Sequence, residues 1–218
     1  MTSNLSSRLF DAFSMIPSGE IVMDIGADRG LLAKELAKNG FKVYACENKK
    51  GPFSALKENT RKECQDYSLE CIFTDGIDIL PSDVTLLSMM GMGGNTIYDI
   101  LQRHQEKLGQ ISYILIEPQS DYLLPLEYLL NLNYHVVKGK YVFEKRYYPL
   151  LLLKKEEKKM EYTPLELLYC ILPLREKDPL LKEHLLKEKE RLLSLPEDVR
   201  EKKEEEIDNI EKGLRYYE

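Results

Sequence analysis

The 218-residue chain contains no run of about 18 uncharged apolar residues, so no segment reads as a membrane-spanning helix. Its opening, MTSNLSSRLFDAF, lacks the basic start and apolar centre of a secretion signal, and a soluble cytoplasmic protein is expected. Cysteine is sparse: Cys46, Cys64, Cys71 and Cys170 form no C-x-x-C pair, and only His104, His135 and His184 could assist them. That excludes a disulfide framework and leaves no recognisable zinc spacing, so no metal is expected. Two phosphate-binding signatures are also missing. There is no G-x-x-x-x-G-K-[ST], and the one candidate for G-x-G-x-x-G carries Asp28 where its second glycine belongs. No internal repeat is present.

Positive charge is in deficit. The formal net charge is −6, against broad attraction to polyanions. The deficit lies mostly in the tail: to residue 155 there are 18 Lys and Arg against 19 Asp and Glu, and beyond it 13 against 18. One segment runs the other way, since residues 138–159 hold eight basic and three acidic side chains. A nucleic-acid partner would dock on such a patch rather than on the whole surface.

What is present is an alternation of helical and strand-like segments over the first 150 residues, the signature of a mostly parallel sheet flanked by helices. A helix over LSSRLFDAFSMI precedes the strands. Seven strands are expected, at IVMDIG, KVYACE, LECIFTDG, VTLLSMM, SYILIEP, YHVVKGKYVFEKR and YYPLLLLK, the last two as an antiparallel pair. Helices are expected between them, including PFSALKENTRKEC and NTIYDILQRHQEKL. After KKEEKKM the texture changes to Leu, Glu and Lys. Thr163-Pro164, Asp178-Pro179 and Ser194 to Pro196 predict three helix starts, the last two forming a helical hairpin. The expected division is residues 1–157 as a Rossmann-like α/β domain and 158–218 as a helical, coiled-coil-like domain.

In an open parallel sheet, ligands bind beyond the carboxyl ends of the strands. Here those ends read DIGADRG, CEN, TDG, MGMGG and EPQ. Pyrophosphate must lie against backbone N–H groups, and the Asp28 carboxylate would repel it. A nucleoside without phosphate fits better. Gly26 admits close backbone approach, Glu47, 21 residues on, can take both ribose hydroxyls with Asn48 beside it, and Asp75 with Gly76 can meet an adenine amino group. Asp24 would face a cationic methionine end, with Met90 and Gly91 on the next strand. The ligand so defined is S-adenosylmethionine.

With LSSRL, DIGADRG, CENKKGPFSA, TDGI, MGMGG and ILIEPQ in this order, the chain resembles the bacterial tRNA (adenine-N1)-methyltransferases that modify adenine 22. The likeness spans roughly residues 5–155, and the helical tail is similar in character to that family's coiled-coil domain. It implies a class I methyltransferase fold, S-adenosylmethionine as donor and tRNA as substrate. Where the family reads DIGSDHAYLP this chain has DIGADRGLLA, and where it reads Gln-Pro-Asn this chain has Glu117-Pro118-Gln119. The resemblance therefore carries over Asp28 as a catalytic carboxylate and Gln119 as the amide that reads the base, but not the histidine and tyrosine replaced by Arg29 and Leu31.

Adenine N1 has a free lone pair at neutral pH, so alignment rather than a strong base is what the chemistry asks. The base must be unpaired or flipped, and Tyr98 and Phe53 are candidate stacking rings. Candidate RNA contacts are Arg29, Lys138, Lys140, Lys145, Arg146, Lys154 and Lys155, whereas Arg8 is expected to pair within the protein. Two rival readings stay open: a nucleoside- or RNA-binding module that has lost transfer, and a class I methyltransferase with another substrate. Oligomeric state is not legible.

Overall fold

The computed structural model describes residues 5–61, 66–158 and 160–218. Cys64, the end of the helix expected over PFSALKENTRKEC, and Lys159 lie outside them. The chain runs through α1 (Ser7–Met15), β1 (Ile21–Ile25), α2 (Leu31–Lys38), β2 (Lys42–Glu47), α3 (Lys50–Arg61), β3 (Leu69–Phe73), β4 (Leu86–Met92), α4 (Gly94–Arg103), β5 (Tyr113–Pro118) and α5 (Leu123–Asn131). The sheet closes with the hairpin β6 (Tyr134–Glu144) and β7 (Arg146–Lys155). All seven expected strands are present, in the order β3-β2-β1-β4-β5-β7-β6. The first five are parallel, and β7 is antiparallel to both β5 and β6.

β1 is central, and four of its five residues are buried, as a parallel strand covered on both faces demands. On one face α1, α2 and α3 bury Ala12, Leu32, Ala33, Leu36 and Leu56; on the other α4 and α5 bury Ile97, Leu101, Leu126 and Leu129. The order reverses between β1 and β4, which opens the crevice where such sheets take ligands.

The helix starts follow their capping residues. Ser6 caps α1 by accepting from the Leu9 N–H, and Thr163 with Glu166 forms a capping box on α6 (Pro164–Leu168). Asp178 caps α8 (Pro179–Leu193), with Pro179 in its first turn. The GMGG stretch combines two backbone devices. Gly91 sits at φ +71° beside a register shift between Met90 and Met92, and a Cβ on Gly94 would come within 2.2 Å of the Asp121 carbonyl oxygen. Only glycine lets α4 start so close to the loop after β5.

Three expectations needed correction. The helix expected through Leu108 stops at Arg103 and continues as a 3-10 run over Gln105–Gln110. The helix expected from Thr163-Pro164 is two short ones, α6 and α7 (Leu172–Arg175), parted by Cys170 and Ile171 at positive φ and by Pro173, whose missing N–H belongs in a first turn. The last helix is also divided, into α9 (Glu197–Arg200), a 3-10 turn and α10 (Glu204–Arg215). The Glu204–Glu206 triplet then sits in the first turn of α10, where carboxylates are favourable.

α8 and α10 pack side by side, and α8 packs against β6, around Tyr141, Tyr169, Leu174, Leu185, Leu192 and Ile210. Gly213 permits the close approach, since a Cβ there would lie 2.8 Å from the Tyr169 ring. Cys170 and Ile171 reach further, into the core beneath the sheet.

Candidate active site

Beyond the carboxyl ends of β1, β2 and β4 lie two adjoining cavities of about 390 and 340 Å³. Gly26 lines both. It sits at φ +72°, and a Cβ there would press to 3.2 Å from the Met92 methyl, so the partition between the cavities is as thin as a backbone allows.

The larger cavity gathers Glu47, Asn48, Asp75, Gly76 and Arg103. The loop after β1 is fastened to β2 by three N–H donors. Those of Gly26 and Ala27 both reach the Cys46 carbonyl at 3.0 Å, and that of Asp28 reaches Glu47 Oε1 at 2.7 Å. Asp28 itself is at φ +51°, a left-handed conformation that aspartate tolerates better than most residues. The Asp75 carboxylate accepts from Asn48 Nδ2 at 2.8 Å and from Arg103 Nη2 at 2.9 Å. Those bonds, the one from Asn48 first, hold its carboxyl below the usual range. Gly76 at φ +53° lies under Ile100 of α4, with only 2.9 Å left for a Cβ.

The smaller cavity gathers Arg8, Asp24, Asp28, Arg29, Met90 and Gln119, with Gly91 on its wall. Asp24 is 4 % exposed and accepts from Ser88 Oγ at 3.0 Å. Burial pushes its carboxyl up to about 6, with the Ser88 hydrogen bond opposing and the neighbouring Glu47 charge adding. Asp28 and Arg29 are exposed, and the Arg29 guanidinium has no ion pair among the described residues. Gln119 is anchored by its N–H to the Met92 carbonyl at 2.9 Å.

Below this wall is a charge cluster. Glu117, fully buried, accepts from Arg8 Nη1 at 2.6 Å and from the Gly91 N–H at 3.0 Å. Arg8 Nε also donates to Glu144 at 2.5 Å, joining α1, β5 and the β6–β7 hairpin through one guanidinium. Burial raises the Glu117 carboxyl above its ordinary value while Arg8 pulls it back, and its Oε1 has no partner among the described residues.

The structure thus brings Asp24, Gly26, Asp28, Arg29, Glu47, Asn48, Asp75, Gly76, Met90, Gly91 and Gln119 together around the two cavities. It does not bring the basic segment together. Lys138 donates to the Met15 carbonyl at 3.0 Å and Lys140 to Asp11 at 2.8 Å, both turned onto α1. Lys154 pairs in register with Tyr113 at the opposite end of the sheet and donates to Glu156, and Lys155 beside it reaches the Leu108 carbonyl. A strand of ten residues runs the height of the sheet, so basic residues adjacent in sequence end up on different faces and ends. Only Lys145 and Arg146, at the hairpin tip, stay at the cavity end with side chains that carry no ion pair among the described residues. Tyr98 packs edge-on against Tyr128 and Phe53 against Phe73, so both candidate stacking rings serve packing.

Sequence reasoning missed Ser88, Arg103 and the Glu117 partner of Arg8. Ser88 had a signal, a lone hydroxyl in an apolar strand that comes into register with Asp24. Arg103 had none, being one charge at a helix end.

A seven-stranded sheet with one antiparallel insertion and a cavity at its switch point defines a Rossmann-like class I architecture. The model of the methyltransferase domain matches residues 5–151, and the chain belongs to that family. No curated protein sequence matches it. Among solved structures, Streptococcus pneumoniae Sp1610 in complex with S-adenosyl-L-methionine superposes with a TM-score of 0.88 at 22% identity, over 96% of this chain and 99% of that one. TrmK of M. capricolum, in complex with S-adenosyl-homocysteine, gives 0.84 at 21%, over 97% and 98%. The B. subtilis m1A22 tRNA methyltransferase TrmK gives 0.78 at 18%, over 98% and 100%. At these identities the likeness is one of fold, and it extends through the C-terminal helices. Among the described residues no helix is long and apolar enough to cross a membrane, and no three His, Cys, Asp or Glu side chains group as a metal site.

Proposed function

We propose that the protein transfers a methyl group from S-adenosylmethionine to N1 of an adenine in tRNA, position 22 by likeness to the m1A22 enzymes. The observation that carries the reading is the pair of cavities meeting at Gly26. One offers carboxylates, the other a buried and an exposed carboxylate, an amide and the Arg29 guanidinium, which has no ion pair among the described residues.

The residues present fit the donor. A Cβ at Gly26 or Gly76 would intrude on the neighbouring side chains, and the acid-lined larger cavity suits a nucleoside with hydroxyl and amino donors. Glu47 Oε2 is left to take the ribose hydroxyls, and Asp75, fixed by Asn48 and Arg103, faces the base. Asp24, across Gly26, meets the cationic end. When bound, the donor supplies an electrophilic methyl group on a sulfonium, and the N1 lone pair is the nucleophile. Gln119 accepts from the exocyclic amine and orients the base, and Asp28 stabilises the positive charge that develops on it. Residues 1–157 carry this chemistry, since both cavities are lined from within them.

Calorimetric titration with S-adenosylmethionine, followed by transfer of a tritiated methyl to unmodified tRNA, tests the reading. Donor binding without transfer to RNA would favour a methyltransferase of other specificity, and binding of RNA without transfer a module that has lost catalysis.

The state of Asp24 gives a pH signature. Its folded-state value of about 6 lies above the ordinary 3.8. The folded protein therefore holds that proton more tightly than the unfolded chain, and the stability gained at acid pH is lost as pH rises through about 6. A cationic donor prefers the ionised form, so its affinity should fall about tenfold from pH 7 to pH 5, and Asp24→Asn should flatten that dependence. Isothermal titration across that range checks it.

A further inference from the structure

The exposed aromatic surface at the β6–β7 tip is not used by either cavity. Phe143 and Tyr147 face each other across the hairpin with ring centroids 4.8 Å apart, and Tyr147 continues to His184 of α8 at 5.0 Å. His184 in turn stacks on the buried Tyr141 at 5.8 Å. Lys187 braces the outer end, its ammonium 5.7 Å from the Phe143 ring and 5.3 Å from that of Tyr147, while it bonds the Tyr147 hydroxyl and Glu183. The ladder has an open end. Phe143 is 47 % exposed and, unlike Tyr147, belongs to none of the apolar clusters of the described fold.

Phe143 offers a ring face to solvent, and its neighbours indicate the chemistry of a partner for it. Lys145 and Arg146 follow it after Glu144, both exposed and without an ion pair among the described residues. The nearby acids are engaged, Glu144 by Arg8 and Glu183 by Lys187 and Tyr147. The tip therefore presents an aromatic face on the α8 side, Lys145 at the turn, and Arg146 on the opposite face, in register with Glu144. Every base has a π-face and every nucleotide a phosphate, and this pairing is the one single-stranded nucleic acid satisfies. The tip lies at the cavity end of the sheet, where Glu144, the residue after Phe143, is held by Arg8 from the wall of the smaller cavity, so RNA that enters that cavity passes the tip.

We propose that the β6–β7 tip is a seat for an unstacked base of the RNA substrate, with Phe143 as the stacking face and Lys145 and Arg146 as contacts to the flanking phosphates. This rests on the reading that RNA is the substrate.

The test is tRNA affinity of the full chain at fixed salt and over a salt series, with donor affinity measured in parallel. Phe143→Ala and Phe143→Leu should each weaken tRNA binding about tenfold with the salt slope unchanged, and Phe143→Trp should retain it. Lys145→Ala with Arg146→Ala should instead flatten the slope by about 1 per residue. Donor affinity should not move in any of them. The seat is overturned if Phe143→Leu binds tRNA as the parent does, or if Phe143→Ala weakens binding to a fully paired RNA duplex of equal length to the same extent. A parent chain that binds no tRNA saturably would overturn the substrate reading itself, a result separable from either of those.

Discussion

Replacing Glu47 by alanine should weaken S-adenosylmethionine binding by about a hundredfold or more. Two losses combine at this one carboxylate. Oε1 receives the Asp28 N–H at 2.7 Å, and without it the loop after β1 loses one of its three ties to β2. The remaining oxygen is the acceptor proposed for the ribose hydroxyls, and a charge-assisted hydrogen bond contributes about 1.5–3 kcal/mol. Glu47→Gln separates the two effects. The amide oxygen can still accept from Asp28, so the loop should stay formed while only the charge-assisted part is lost, about tenfold. Titration calorimetry on both variants reads this directly, and equal affinities for Glu47→Ala and the parent would remove Glu47 from the donor site.

The second large effect is expected at Asp28, on transfer rather than on binding. The side chain lines the smaller cavity, while its own N–H helps to shape the larger one. Alanine there confounds the two, because φ +51° is strained for alanine and tolerable for asparagine. Asp28→Asn is therefore the informative variant. It keeps the backbone and the polar outline and removes the negative charge facing the developing positive charge on the base. Donor affinity should stay within about threefold of the parent, and single-turnover methyl transfer should slow about a hundredfold, the scale of one lost electrostatic contact. Unchanged turnover would place the catalytic carboxylate elsewhere, and Asp24 would be the next to test.

How much of this was legible in the sequence depended on the range of the interaction. The seven strands were readable because parallel core strands are short apolar runs that end in glycine or acid, as IVMDIG and KVYACE do. The residues around the larger cavity were readable for the same reason, since strand ends converge whatever the side chains between them. The helix breaks were not. Nothing local in LPLR announces that Cys170 and Ile171 will adopt positive φ, and tertiary packing beneath the sheet decides it. The basic segment misled because eight charges close in sequence were read as one surface. A long hairpin strand instead sent Lys138 and Lys140 onto α1 and Lys154 to the far end, leaving Lys145 and Arg146 at the tip. Long-range pairs such as Arg8 with Glu117, 109 positions apart, carry no local pattern at all.

The replacements at Arg29 and Leu31 acquire a physical setting. Arg29 stands exposed at the mouth of the smaller cavity beside Asp28, where a guanidinium can meet a phosphate or a base edge. Leu31 starts α2 with its side chain 40 % exposed and also lines that cavity. The loop that carries Asp28 thus presents a cation and an apolar surface to the smaller cavity.

The most direct test is nucleoside analysis of unmodified tRNA after incubation with the full chain and saturating S-adenosylmethionine. The account predicts that 1-methyladenosine appears, in step with methyl incorporated, and that a transcript whose adenine 22 is replaced by guanosine accepts none. Full donor binding with no 1-methyladenosine in any tRNA would contradict it.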